Sequence, residues 1–404
     1  MNDIIKECEE EIKKEYAEIE EIALYNQEKV LNAFKEARIA LNHFSSSNGY
    51  GYSDIGKNKL SEVFKYVFNA EEAVASPYIT CGTHALNAGL FGCLKTGDKI
   101  LSITGDVYDS LKNAVDGEGN GSLKDYGISF EKIELLENGK FDFNAITDVL
   151  LKSKYELVYL QRSCGYSCRD TFSIAELQEA ITLVKKLCPT AIVFVDNCYG
   201  TFCDKKEPTD VGADIAVGSL MKNAGGGISP SGGYIVGRKD LVDRCAGRLF
   251  GVGLGMEVGS YSASYQNFFQ GLFIAPSVVS GALKGSLLLG KVLQKLGIES
   301  FPKAGVRPND LIRRIIFNDE NKMVAFVKTV QEDSPVDSFV VPFPSDMPGY
   351  DDKIIMASGG FVQGSSIEMS ADGPVRPPYA VYFQGGLTFE HVKVFTNHMV
   401  ERLK

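Results

Sequence analysis

Tryptophan is absent from the 404 residues, histidine occurs only four times, and apolar residues never run together long enough, uninterrupted, to span a bilayer. The last of these speaks against a membrane helix. Scarce histidine leaves little material for a histidine-based metal centre, and no cysteine–histidine pair stands out as a nucleophile and its base. Basic residues are in deficit, 42 against 52 acidic ones, for a formal net charge of -10. Without a basic patch to offset that balance, a general nucleic-acid binder is not expected, and no DNA-binding module is attached. The opening MNDIIKECEEEIKKEYAEIEEIALYNQEKV has no apolar leader core, so a cytoplasmic protein is expected. Two glycine motifs are also missing. Gly117, Gly119 and Gly121 form no G-x-G-x-x-G that opens a helix, and Gly225 to Gly227 lacks the G-K-[ST] of a nucleotide loop. Neither a dinucleotide site nor ATP or GTP hydrolysis is expected there.

The nine cysteines are odd in number and scattered, which reads as reduced, buried thiols. Cys164 and Cys168 with Cys198 and Cys203 can be drawn as a four-thiolate site, but neither pair has the two-residue interval such sites use. No metal is expected.

What is present suffices for a large core. With 44% hydrophobic residues over this length, one large and one smaller domain are expected. Residues 1–60 form a helical arm and loop, 61–280 the large domain, and 281–404 the small one. The centre of the chain is AIVFVDNCYGTFCDKKEPTDVGADIAVGSLMKNAGGGI, Ala191 to Ile228. Ala191 to Val195 reads as a buried strand ending in Asp196, and Ala213 to Val217 as another that delivers Gly218, Ser219 and then Lys222. In an open α/β sheet, groups at the carboxyl ends of neighbouring strands converge on one crevice. Asp196 and Lys222 then face a common ligand. An acid to hold a ring nitrogen and an amine to form an imine are what pyridoxal phosphate requires, and Ser219 can donate its hydroxyl to the phosphate.

In chain order, residues 1 to about 43 read as two amphipathic helices, the second covering Ala23 to Phe44. Asn48, Gly49 and Gly51 then leave Tyr50 and Tyr52 on a loop before a helix that begins near Asp54. A tyrosine there reaches a phosphate or anchors the loop. Ala73 to Cys81 is a strand, and CGTHALNAGLFGCL turns from it into a helix whose first amides, at Gly82 and Thr83, suit a phosphate. His84 covers a cofactor ring or fills the first turn. After the strand Lys99 to Ile103 comes Tyr108, placed to stack on a pyridine ring or to pack. Glu156 to Leu160 is a strand that opens into a loop with Arg162 and Arg169, and Ser173 with Glu176 makes a capping box for the helix through Val184. The alternation implies a parallel sheet covered on both faces. Gly232 to Val236 returns as a strand. Beyond it Tyr261 and Tyr265 are candidates to line the crevice or the subunit interface, Ser280 to Leu296 is a long helix, Ser338 to Val341 and Lys353 to Ala357 are strands, SADGPVRPPY is a loop, Tyr379 to Phe383 is a strand, and Thr388 to Leu403 is the final helix.

Seven blocks, SSSNGYGYSDIG, CGTHALNAGL, GDVYDSL, QRSCGYS, VDNCYGTF, GSLMKNAGGG and SADGPVRPPYAVYFQGGLTFEHV, together resemble the methionine γ-lyase-like, aluminium-resistance family of pyridoxal-phosphate enzymes, in the cystathionine lyase superfamily. The resemblance spans nearly the whole chain. It implies the aspartate-aminotransferase-like α/β fold (fold type I), a mostly parallel seven-stranded sheet with helices on both faces plus a smaller C-terminal α+β domain. It also implies roles. Lys222 is similar to the lysine that bonds the cofactor's aldehyde, Asp196 to the acid on the pyridine nitrogen, and Ser219 with the amides of Gly82 and Thr83 to the phosphate cradle. Tyr108 resembles the ring-stacking tyrosine and Arg376 the substrate-carboxylate clamp. Tyr52 resembles a tyrosine that reaches the phosphate from the neighbouring subunit, which makes a homodimer the smallest catalytic unit and a homotetramer the expected assembly. Two positions depart from the lyase pattern: Asp54 stands where an arginine is usual, and Met221 where a threonine adjoins the lysine. The implied activity is elimination from a sulfur-containing L-amino acid, cystathionine or methionine among them, to a thiol, a keto acid and ammonia. An aminotransferase would use the same lysine, acid and cradle, and a noncatalytic pyridoxal-phosphate binder would turn nothing over.

Overall fold

Short runs of β-branched and aromatic residues make the strands of a large sheet whose inner members are buried on both faces, so their side chains need no polar alternation. A computed structural model describes residues 2–119, 121–347 and 352–402. Seven strands form the large sheet: β1 (Glu72–Ser76), β2 (Lys99–Ser102), β3 (Ser129–Lys132), β4 (Leu157–Gln161), β5 (Ile192–Asp196), β6 (Ile215–Ser219) and β7 (Gly233–Gly237). Their order is β1-β7-β6-β5-β4-β2-β3. β7 runs antiparallel to both β1 and β6, and the other pairings are parallel. The expected α/β architecture is therefore present, with one reversed strand beside the lysine-bearing one.

A second, five-stranded sheet holds β8 (Glu299–Phe301), β9 (Ile312–Ile316), β10 (Ile354–Ser358), β11 (Ser370–Pro374) and β12 (Ala380–Gln384) in the order β10-β11-β12-β9-β8, all antiparallel. Between the sheets runs the helix Gln266–Lys295. It is long and apolar enough to cross a membrane, yet 72% of its apolar window is buried inside the protein. It begins well before the expected Ser280, because Pro276 reads as a breaker in the sequence but is accommodated inside the helix. One continuous core joins this helix, the N-terminal arm and the second sheet.

Local differences from the sequence reading have physical causes. The two N-terminal helices are Asp3–Glu11 and Lys13–Glu36, and the second stops because Arg38 takes a left-handed φ of 51°. β1 ends at Ser76, ahead of Pro77, rather than at Cys81, which instead caps the next helix. Ser338–Val341 is not a strand: Phe339, Val340 and Val341 are exposed, and the Val340 amide turns back to the Asp337 carbonyl. SADGPVRPPY is not all loop. Ser370–Pro374 is β11, a run of poor strand formers recruited by pairing with β10 and β12. Gly373 is required there, since a Cβ would lie 2.3 Å from the Ala380 carbonyl oxygen.

Candidate active site

The carboxyl ends of β4, β5 and β6 meet the start of helix Gly82–Cys93 in one cleft of about 170 Å³. Gly82, Thr83, Tyr108, Asp196, Ser219 and Lys222 all line it. Six residues drawn from four separate sequence blocks are thus brought together. The strand ends fix this convergence, because β4 and β5 are paired with Gln161 opposite Asp196 and β5 and β6 with Asp196 opposite Val217.

Asp196 is buried. Its Oδ1 accepts the Cys198 amide at 3.0 Å and its Oδ2 accepts the Tyr159 hydroxyl at 3.2 Å. Burial pushes its carboxyl above the ordinary value, and the Cys198 amide, Lys222 and Tyr159 oppose that rise. Just beyond, Asn197 sits in a buried network. Its Oδ1 accepts from Arg162 at 3.0 Å and its Nδ2 donates to Glu207 at 3.0 Å. Arg162 also reaches the Gly200 carbonyl at 2.9 Å, locking the turn that follows Asp196. Arg169 spends its guanidinium on backbone carbonyls, among them Gln161 at 2.8 Å and Asp170 at 3.0 Å. Both loop arginines are therefore occupied in shaping the walls.

Lys222 follows β6. Its Nζ lies 3.6 Å from the centroid of the Tyr199 ring and 3.4 Å from Ser366 Oγ. Burial pulls the ammonium down, but the Tyr199 ring beneath it and the Asp196 carboxyl outweigh that and hold the amine above its ordinary value. The Cys198 thiol is itself driven far up by burial, so it stays protonated and inert.

The fit to pyridoxal phosphate can be tested at Gly82. A Cβ there would sit 3.1 Å from Cys198 Sγ, 3.5 Å from Ser219 Cβ and 4.0 Å from Lys222 Cε. The bare glycine keeps open the space between a helix N-terminus, a serine hydroxyl and the lysine stem, which is where a phosphate-bearing aldehyde needs room. The Thr83 hydroxyl bonds Ser110 Oγ at 2.7 Å, and Tyr108 packs its ring beside Gly165, where a Cβ would be 3.0 Å away. These residues fit the cofactor.

Two expected residues lie outside the cleft. Tyr52 is 69% exposed and stacks on Tyr50 with ring centroids 5.3 Å apart. Arg376 has 54% of its side chain exposed, pairs with Asp352, and lines an adjoining cavity of about 380 Å³ that shares Tyr108 and Gln161 with the cleft. His84 also lies elsewhere, accepting the Thr80 amide on its Nδ1 at 3.1 Å. Of the two places expected for Tyr261 and Tyr265, the cleft is not one they line. Tyr265 is buried and donates to Asp54 Oδ2 at 3.0 Å, while the Tyr261 amide donates to the same oxygen at 3.2 Å. Asp54 also caps helix Ile55–Val67 by accepting the Lys57 amide at 2.8 Å, so the acid at this departing position ties the Tyr52 loop to the segment around Tyr261.

The sequence reading missed Tyr199, Ser366, Gln161 and Asp372. Tyr199 lay in the quoted VDNCYGTF block, and its signal was adjacency to Asp196. Ser366 reaches Lys222 across 144 positions and had no sequence signal. Gln161 lines both cavities, and its buried Oε1 has no hydrogen-bond partner. Burial raises Asp372, on β11, to about 6 against the pull of Tyr166 and Lys222.

The family model described as methionine gamma-lyase matches residues 1–404. An uncharacterized protein of Bacillus subtilis is 45% identical over 390 residues, 96% of this chain and 92% of that one. A crystal structure from Listeria monocytogenes superimposes with a TM-score of 0.97 at 44% identity, covering 100% of both chains. The carbon-sulfur lyase involved in aluminum resistance from Clostridium novyi gives a TM-score of 0.95 at 43% identity over 100% of this chain and 97% of its own. With this likeness along its whole length, the chain belongs to the methionine gamma-lyase family and is a pyridoxal-phosphate-dependent carbon–sulfur lyase.

Proposed function

We propose that Lys222, Asp196, Ser219, Gly82, Thr83 and Tyr108 are the residues that hold the cofactor and act on a sulfur-containing L-amino acid, cystathionine or methionine, by β- or γ-elimination. The observation that carries this reading is their convergence on one cleft. When bound, pyridoxal phosphate supplies an aldehyde that joins amines and a ring that takes up an electron pair. Asp196 keeps a positive ring nitrogen paired, and its buried bonds to Cys198 and Tyr159 hold the carboxylate in place. The Gly82 and Thr83 amides and the Ser219 hydroxyl bind the phosphate. With the cofactor bound, Lys222 would take the Cα proton on Nζ and return it. Tyr108, at the N-cap of the helix Asp109–Asp116, would stack on the ring. Loss of the thiol from Cβ or Cγ then leads to a keto acid and ammonia.

Arg376 takes the substrate carboxylate in this reading. Its support is a place on the wall of the cavity that opens from the cleft at Tyr108 and Gln161. The exposed, stacked Tyr50–Tyr52 pair suits delivery of Tyr52 to a neighbouring subunit, hence a homodimer or homotetramer. Nine free cysteines suit a reducing cytoplasm. The division into a large and a small domain has its support in the two sheets, which occupy separate stretches of sequence, while residues 60 and 280 themselves fall inside the helices Ile55–Val67 and Gln266–Lys295.

An absorbance scan of the purified protein before and after L-cysteine, L-cystathionine and L-methionine, with keto acid and sulfide or thiol measured, tests the whole. A yellow band that shifts on addition, with sulfur released in step, is the expected outcome. The band with no sulfur released moves the reading to transamination or cofactor binding alone. No band after pyridoxal phosphate is supplied sinks the assignment of Lys222.

A further inference from the structure

Lys222 ends against a surface made by both sheets. Under its Nζ lies the face of Tyr199, and beside it is Ser366 Oγ, which also accepts the Tyr199 hydroxyl at 3.2 Å. Tyr199 has a left-handed φ of 69°, a conformation that a bulky side chain adopts only where its surroundings hold it. Those surroundings are identifiable. Asn223, the residue after Lys222, donates its Nδ2 to the Tyr199 carbonyl at 2.9 Å. Met221, the residue before it, accepts the Ser366 amide at 3.2 Å. The backbones of Tyr199 and Ser366 are thus each hydrogen bonded to a residue flanking the lysine, which fixes the ring and the hydroxyl relative to the amine.

We propose that Tyr199 and Ser366 form a seat for the Lys222 amine, holding it as the ammonium during the part of the cycle in which it carries the substrate's proton. An aromatic face about 6 Å or less from an ammonium attracts it, and a serine oxygen accepts one of its three donors. The other groups facing this amine point the same way: Asp196 at the end of β5 and Asp372 on β11 both lie within electrostatic reach, and the Tyr166 phenol, from the loop after β4, bonds to Asp372. Proton bookkeeping is simple. Nζ takes H⁺ from Cα, the electron pair left behind goes to the bound cofactor, and the seat keeps the N–H bonds directed until the proton is returned. Ser366 belongs to the segment that leads into β11, so the seat is complete only while the second sheet is docked. The inference rests on Lys222 being the cofactor lysine.

The test uses the holoenzyme and the variants Tyr199→Leu, Tyr199→Phe and Ser366→Ala. A limiting portion of amino acid is added, and the rate at which the yellow band returns is followed across pH, together with kcat, KM and bound cofactor. Loss of the ring in Tyr199→Leu slows the return about tenfold, the ring being the larger attraction. Ser366→Ala slows it about threefold, and Tyr199→Phe no more than that. KM and bound cofactor stay at the wild-type level, and the pH limb belonging to the amine moves down in Tyr199→Leu. Should Tyr199→Leu not fold, the other two variants keep the ring and carry the test. Wild-type return rates and pH profiles in Ser366→Ala and Tyr199→Leu would overturn the seat while leaving Lys222 as the cofactor lysine. Loss of bound cofactor with an unchanged rate in the occupied fraction would overturn it too, in favour of simple packing. A wild-type protein without the band would overturn the lysine assignment itself.

Discussion

Tyr159 donates its hydroxyl to Asp196 Oδ2 at 3.2 Å from the neighbouring strand, so β4 steadies the acid that β5 carries. Burial already raises this carboxyl, and the tyrosine opposes the rise. Replacing Tyr159 with Phe removes an opposing influence, so the carboxyl protonates at still higher pH. If the ionised acid is needed, the acid limb of kcat/KM shifts upward in Tyr159→Phe with little change at pH 8, and Asp196→Asn loses roughly 10²- to 10⁴-fold in kcat at every pH. A pH–rate profile of the three proteins checks both.

Gly82→Ala places a Cβ 3.1 Å from Cys198 Sγ and inside the proposed phosphate cradle. Overpacking of this kind costs about 1–3 kcal/mol, and because the nearest atom is Cys198 Sγ, part of it is borne by the cofactor-free fold as well as by the ligand. The dissociation constant for pyridoxal phosphate rises roughly tenfold or more, read by equilibrium dialysis. Melting of the cofactor-free protein falls by a few degrees, and melting of the cofactor-loaded protein falls further.

Arg376 offers a separation of binding from stability. Its ion pair with Asp352 is exposed and contributes about 0–1 kcal/mol to the fold. Arg376→Ala therefore leaves the melting temperature nearly unchanged. A carboxylate clamp predicts a KM raised by about tenfold or more, as loss of a charge-assisted bond requires; an unchanged KM removes Arg376 from the substrate site.

Asp372 has a folded-state value raised to about 6, above the ordinary 3.8. A carboxyl raised on folding binds its proton more tightly in the native state, so stability falls as pH climbs through that interval and stays lower above it. Asp372→Asn consequently melts a few degrees higher than wild type at pH 7. The advantage shrinks as pH drops toward 4. Calorimetry at the two pH values distinguishes this from the opposite sign.

Tyr52 and Lys222 can be tested for residence in different chains. If each site takes Tyr52 from the adjacent subunit, a mixture of Tyr52→Ala and Lys222→Ala chains forms hybrid dimers with one intact site. Activity then reappears on mixing two inactive proteins. No recovery after confirmed subunit exchange places both residues in one chain's site or removes Tyr52 from it.

The parts of the molecule that were legible in the sequence are those fixed by local chemistry. β4, β5 and β6 announced themselves as short buried runs ending in polar residues, and Asp196, Ser219 and Lys222 follow from strand ends alone. Ser173 and Glu176 reciprocally cap their helix as read. What escaped depends on partners distant in sequence. β11 is a strand only because β10 and β12 flank it, and Ser370–Pro374 has none of the residues that favour one. Pro276 concealed the first turns of a helix whose burial outweighs one missing backbone bond. Ser366 meets Lys222 through the docking of the second sheet, a relationship no window of sequence contains.

The reversed strand β7 has a consequence for the order in which the chain becomes a protein. β1 leads directly into the helix that begins at Gly82, yet its paired neighbour in the sheet is β7. As the chain leaves the ribosome, β1 must wait, unpaired, until Gly233–Gly237 has been made. β7 then closes against β1 and β6 in a single step, joining the Gly82 helix to the Lys222 loop. Such long-range closure is slow compared with local helix formation, and it leaves an apolar edge open meanwhile. Nascent chains halted before residue 233 should therefore bind a holdase chaperone, and those released beyond residue 237 should begin to escape it.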